Sequence, residues 1–147
     1  MIHKLNPDTI LQDWEVLKVG LAQAIPLTDK PVDSYLNDLL LSIVDGRVEG
    51  WVIYDRVEEV NKIYGVFCTT VTTDIVTREP SLLIYALYTT TFTPQKVWDS
   101  AIESLVKVAR ERGIPTITAF TRVPRVVEIA AKLGGDVGAT FITWRLK

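Results

Sequence analysis

The 147-residue sequence predicts a mixed α/β fold, one mixed sheet with helices on both faces. Three observations lead there. Between Ile10 and Ile43 apolar residues recur with a period near 3.6, the mark of helices that bury one face. From Val48 to Thr90 the chain turns to runs rich in β-branched and aromatic residues, separated by short polar links. Beyond Thr93, helical and strand-like stretches alternate, as they do when parallel strands are joined through helices. The predicted order is α-α-β-β-β-α-β-α-β, in one domain spanning residues 1–147.

Each element has its own signals. Asn6 or Asp8 caps a first helix with Pro7 near its first position, and Ile10, Trp14, Leu17, Leu21 and Ala24 form its buried face until Pro26 stops it. Pro31 and Asp33 open a second helix carrying Leu36, Leu39, Leu40 and Ile43, which ends at Asp45-Gly46. Val48 to Asp55, Lys62 to Thr73 and Ser81 to Thr90 read as three strands in antiparallel succession, with turns at Arg56–Asn61 and Asp74–Pro80. In the third run Leu82, Ile84, Ala86 and Tyr88 alternate with Leu83, Tyr85 and Leu87, so both faces are apolar and the strand is central. Thr93 and Pro94 start a third helix along Trp98, Ala101, Ile102, Leu105 and Ala109, closed by Gly113 and Pro115. Thr116 to Thr121 is a short strand, Pro124 to Leu133 a fourth helix and Ala139 to Leu146 a last strand.

Composition excludes several function classes. Cys68 and His3 are the only residues of their types, so neither a disulfide framework nor a structural zinc site can be built. Sixteen Lys and Arg against eighteen Asp and Glu give a net charge of -2, without the basic surface of a nucleic-acid binder. Apolar runs such as Leu39-Leu40-Leu41 are far below the ~20 residues that cross a bilayer. The first residues show no apolar core of a secretory signal, so the expected location is cytoplasmic.

The succession of elements from Asp8 to Leu146 resembles the GNAT superfamily of N-acetyltransferases. The resemblance implies a further opening strand, for which only Met1 to Leu5 leaves room. It also implies that the strand Ser81 to Thr90 splays from its neighbour and offers backbone at Tyr85, Ala86, Leu87 and Tyr88 to the pantetheine of acetyl-CoA. A glycine-rich loop would then cradle the pyrophosphate at the start of the next helix. The corresponding stretch Tyr88 to Lys96 has no glycine, and Pro94 removes an N–H donor. The helix that resembles the tyrosine-bearing one of active members has Ala130 at the tyrosine position, Val123 at the asparagine and Gly135 at the terminal phenylalanine.

Two readings of function follow. In the first, a GNAT-like protein has lost acetyl transfer, needs no cofactor and serves as a binding or structural module with a protein partner or a second copy of itself. T7-like phages carry GNAT-like internal virion proteins with similarly eroded loops, and on that comparison the protein is phage-encoded and virion-associated. In the second, it is a divergent acetyl-CoA-dependent N-acyltransferase that uses the splayed strand and a water as base. Its cofactor-binding residues would be Tyr85, Ala86, Leu87, Tyr88, Thr91, Thr93, Gln95, Lys96, Arg122 and Arg125, the cations holding the diphosphate. The catalytic residue is unassigned: no Asp, Glu or His lies between Ser81 and Thr90. Threonine pairs and strand tyrosines have an equally simple reading as sheet and core residues. Cys68 reads as a small buried residue, His3 as surface, and Trp14, Trp51, Trp98 and Trp144 as core anchors.

Overall fold

The computed structural model describes residues 1–24, 29–90, 92–121, 123–140 and 142–146. Its elements are β1 (Ile2–Lys4), α1 (Ile10–Gln23), α2 (Val32–Val44), β2 (Glu49–Val57), β3 (Val60–Thr73), β4 (Pro80–Thr89), α3 (Gln95–Glu111), β5 (Thr116–Ala119) and α4 (Pro124–Lys132). They form the expected mixed α/β arrangement. The strands make one sheet in the order β1-β2-β3-β4-β5, antiparallel except for the parallel pair β4 and β5, which α3 connects. The short opening strand exists and pairs with β2, Ile2 opposite Ile53. Among the described residues, none from 139 to 146 is in a strand; the expected closing strand includes residue 141, which lies outside them. The predicted helix stop at Pro26 also lies outside the described residues.

Helix starts differ from the predicted ones by small, explicable shifts. Asn6 does not cap α1; its side chain accepts the Asp8 N–H and its carbonyl the Thr9 N–H, building a turn that delays the helix to Ile10. Pro94 rather than Thr93 is the N-cap of α3, because the Thr93 hydroxyl donates back to the Thr90 carbonyl at 2.9 Å.

The sheet separates two apolar cores. Ile10, Trp14, Leu17 and Leu21 of α1 pack with Leu36, Leu39 and Ile43 of α2 over Val52, Val66, Cys68 and Ala86. On the other face Val97, Ala101, Leu105 and Ala109 of α3 cover Trp51, Ile53, Tyr64, Phe67, Leu82 and Ile84. Trp51 stacks on Phe67 and donates its indole N–H to the hydroxyl of Thr69, a threonine with no exposed surface. Trp14, Trp51 and Trp98 are core residues as expected, whereas Trp144 is 78% exposed because its segment lies in no strand among the described residues.

Two β-bulges overturn the strict alternation read from the sequence. Cys68 pairs with Ala86 but Thr69 pairs with Ile84, which leaves Tyr85 as the extra residue on β4. Below it Leu82 and Ile84 face α3; Tyr85 and Ala86 then both face α1 and α2, so Ala86 and Tyr88 do not share the face of Leu82 and Ile84. The register between β2 and β3 shifts in the same way, from Ile53 opposite Gly65 to Tyr54 opposite Ile63, with Tyr64 the extra residue.

Candidate functional site

The site begins where β4 and β5 part. Their parallel pairing runs from Ser81 opposite Thr116 to Ile84 opposite Ala119, and the Phe120 N–H closes it on the Ile84 carbonyl. β4 continues five residues further, to Thr89, paired with β3 alone among the described strands. The bulge at Tyr85 sits at this fork, where the added residue bends and twists β4. The result is a strand edge left open on the β5 side.

Hydrogen-bond parity decides which backbone groups face that opening. Thr90 donates its N–H to the Tyr64 carbonyl, so Gly65 and Thr89 oppose one another without exchanging bonds, and Val66 with Tyr88 forms the bonded pair. The backbone groups of Ala86 and Tyr88 therefore turn to β3, and those of Leu87 and Thr89 turn away from it, into the opening. Gly65 permits the close approach of the two strands here, since a Cβ on it would lie 2.5 Å from the Tyr88 carbonyl oxygen. Sequence reasoning missed Thr89. No local signal could have found it, because the bulge sets the parity.

The start of α3 stands next to this edge. Val97 and Trp98 donate to the Pro94 carbonyl, while the N–H groups of Gln95 and Lys96 precede the first backbone acceptor of the helix. Among the described residues no side-chain cap bond is made at that end, and no acidic residue lies in its first turn. Such an end offers N–H donors and a partial positive charge to an anion. The Arg125 guanidinium reaches the Gln95 side-chain oxygen at 3.4 Å and Glu128 at 3.3 Å, which brings the first turns of α3 and α4 together. Lys96 forms a 3.4 Å ion pair with Asp55 at the far end of β2. The Asp55 carboxyl is held below the usual carboxylate range, first by the Arg56 backbone N–H and then by Lys96. Thr93 is occupied within its own turn, bonded to Thr90, and Thr91 and Arg122 lie outside the described residues.

On the α1 and α2 side of the fork, the Tyr35 hydroxyl of α2 donates a short hydrogen bond to the Tyr85 hydroxyl. Tyr88 packs on α1, where a Cβ at Gly20 would meet its ring at 2.8 Å. Cys68 is fully buried and burial pushes its thiol up to about 12, which removes it as a nucleophile at neutral pH. His3 is exposed on the edge strand β1. Ala130 has no proton to donate. Among the described residues no group of three or more His, Cys, Asp or Glu could hold a metal, and no helix is long and apolar enough to cross a membrane.

No family model matches the sequence, and no curated protein matches it. Solved structures do match its fold. A ribosomal-protein-alanine N-acetyltransferase from Brucella melitensis biovar Abortus superposes with a TM-score of 0.67 at 19% identity, covering 99% of each chain. The fold is that of the GNAT acetyltransferases. A predicted acetyltransferase from Clostridium acetobutylicum, solved with acetyl-CoA, gives a TM-score of 0.69 at 16% identity over 99% of this chain and 95% of that one. An aminoglycoside N-acetyltransferase in complex with CoA gives 0.68 at 17% identity over 100% and 94%. These two GNAT structures overturn the expectation that the protein needs no cofactor. That expectation leaned on the missing glycines, but an open strand edge and a helix start offer backbone groups, which side-chain motifs report poorly.

Proposed function

We propose that this protein is an acetyl-CoA-dependent N-acyltransferase. The observation that carries the reading is the parting of β4 from β5 beyond Ile84 and Ala119, with the backbone of Leu87 and Thr89 turned into the opening. The amides of a pantetheine arm are the right length and polarity to extend such an edge as an added strand. The residues present fit the group. Leu87 and Thr89 would hold pantetheine beside the bulge residue Tyr85. The N–H groups of Gln95 and Lys96 would meet the pyrophosphate, with Arg125 and Lys96 adding charge. Lys96 would exchange Asp55 for phosphate. Because Lys96 is exposed, that exchange costs little. When bound, acetyl-CoA supplies an activated acyl group; the chain contributes alignment of the thioester and exclusion of water at the fork.

Thermal unfolding with millimolar acetyl-CoA, against desulfo-CoA and ATP, tests binding. A ligand at about 100 times its Kd adds about 2.7 kcal/mol, several degrees for a domain of this size. Lys96→Ala and Arg125→Ala should each weaken acetyl-CoA binding about 3- to 10-fold, as exposed charge contacts to phosphate do. No shift in the wild-type protein at solubility-limited acetyl-CoA sinks the proposal. Thiol release with ethanolamine, alanine amide and spermidine as acceptors then tests transfer.

Ala130 at the tyrosine position of active members, together with the lack of any Asp, Glu or His from Ser81 to Thr90, favours a second reading: a module that holds CoA but no longer transfers. Binding without thiol release across the acceptors would select it.

A further inference from the structure

The connection between β3 and β4 holds two apolar side chains out into solvent on a built turn. Asp74 donates its backbone N–H to the Glu79 carbonyl at 2.9 Å, and Arg78 donates to the Asp74 carbonyl at 3.0 Å. The Asp74 carboxylate accepts the N–H groups of Val76 and Thr77, at 2.9 and 2.8 Å, and Arg78 turns the chain at a φ of 64°. Ile75 and Val76 at the tip are 91% and 90% exposed. Adjacent β-branched side chains on a turn fixed by four hydrogen bonds form a knob rather than a loose tail.

A cavity of about 290 Å³ opens at the same end of the sheet, where β2 begins and β3 ends. Leu5, Ile43, Val48 and Gly50 give it an apolar wall, and the exposed side chains of Lys4 and Arg47 bring cations to it. Val71 of β3 also lines it, three residues before Asp74, so hole and knob lie side by side. The turn keeps Ile75 and Val76 in solvent, and their own chain's cavity stays unfilled by them. Charge matches across the two. Asp74 and Glu79 with Arg78 leave the knob at -1, whereas Lys4, Arg47 and Arg112 with Asp45 and Glu49 leave the cavity at +1. We propose that this cavity receives the Ile75–Val76 knob of a second copy of this chain. Because knob and hole are neighbours, one two-fold axis seats both knobs at once, and the pairing closes at two. Ile75 and Val76 leave water for Leu5, Ile43 and Val48, while Asp74 and Glu79 come to Lys4 and Arg47. The paired end carries Thr73 opposite Pro80, and the opening lies at the other end, where Gly65 stands opposite Thr89. The dimer therefore leaves Leu87 and Thr89 accessible and is independent of the acyl-transfer reading.

Sedimentation equilibrium of the full chain, from about 1 to about 500 μM, reads the oligomeric state. A monomer–dimer equilibrium should appear, and the double change Ile75→Asp/Val76→Asp should raise its dissociation constant about 10-fold or more. The Tm of the monomer should stay as in the wild type, because both side chains are exposed. Crosslinking checks the seat. Val76→Cys and Val48→Cys are made in separate chains, mixed and mildly oxidised, and the native Cys68 is buried and does not compete. The disulfide between the two variants should form faster than either variant joins to itself. A chain that is monomeric at the highest concentration overturns the dimer and leaves the cavity to a foreign segment or to none. A dimer that the double change leaves intact overturns it as well. So does Val76→Cys joining to itself in preference to Val48→Cys, which would set knob against knob.

Discussion

Glu49 ties three elements together with one carboxylate. On β2 it receives both terminal nitrogens of Arg112 at the end of α3 and, at 2.8 Å, the ammonium of Lys4 on β1. Its side chain is only 18% exposed, so these are not the freely solvated pairs that contribute nothing measurable. The bonds from Arg112, then those from Lys4, hold its carboxyl below the ordinary 4.5, against the opposing effect of burial. Stability linked to such a group is present above the unfolded value and disappears as pH falls through the lower folded value. Glu49→Gln should therefore cost about 1–3 kcal/mol at pH 7 and progressively less below about pH 4, read from urea unfolding at each pH. A constant difference down to pH 2 would contradict the assignment. Cys68 makes the opposite case, a group silenced by burial. Its thiol should resist iodoacetamide at pH 8 in the native protein and react only at the rate of unfolding. Rapid alkylation would show that the core over β3 opens.

At the scale of elements, turns and bulges do what alternation alone does not. The hairpin between β2 and β3 closes on two residues, Glu58 and Glu59, with Val57 opposite Val60 and both glutamates at positive φ, 50° and 69°. The sequence points to a polar turn there, but not to so tight a one, because Glu-Glu lacks the Asn-Gly chemistry such a turn prefers. Exchanging the pair for an Asn-Gly dipeptide, in the double variant Glu58→Asn/Glu59→Gly, should raise stability by about 1 kcal/mol, seen as a higher Tm. Gly65 argues the reverse way. A methyl there meets backbone, the Tyr88 carbonyl, which cannot swing aside as a side chain would. Gly65→Ala should cost more than about 2 kcal/mol and should weaken acetyl-CoA binding through displacement of the β4 edge. Loss of stability with unchanged affinity would place the Leu87 and Thr89 edge outside the binding site.

The whole molecule is two cores sharing one sheet. Leu21 is buried under α1 on one face and Leu105 under α3 on the other. Each Leu→Ala change should cost about 2–5 kcal/mol, and because the sheet stands between them the two costs should add within about 0.5 kcal/mol. Marked non-additivity in denaturant unfolding would mean that strain crosses the sheet. The fork between β4 and β5 also belongs to this scale. It exists because α3 returns the chain to a strand of four residues beside one of ten, so the longer strand must outrun its partner. Residues from the helices that follow the two strands, Gln95 of α3 and Arg125 of α4, then meet at one end of the opening.

Much of this was legible in the linear chain. The apolar period of α1 and α2, the β-branched runs of β2 to β4 and the cap-and-stop signals of α3 depend on residues within a turn or two of one another, so local propensity determined the kind and order of these elements. Cys68 as a buried residue and three of the four tryptophans as core followed from the same patterning. The rest depended on partners distant in sequence. A bulge is a one-residue slip relative to another strand, and nothing in Leu82 to Tyr88 itself says where the slip falls, so the faces of Ala86 and Tyr88 and the open groups of Leu87 and Thr89 were decided by β3. The Tyr35 and Tyr85 hydroxyls lie fifty residues apart and meet only because α2 packs across β4. The sequence by itself determined what the chain would build; tertiary packing alone decided where the sheet opens and which groups face the opening, because register and long-range contact are properties of pairs of segments.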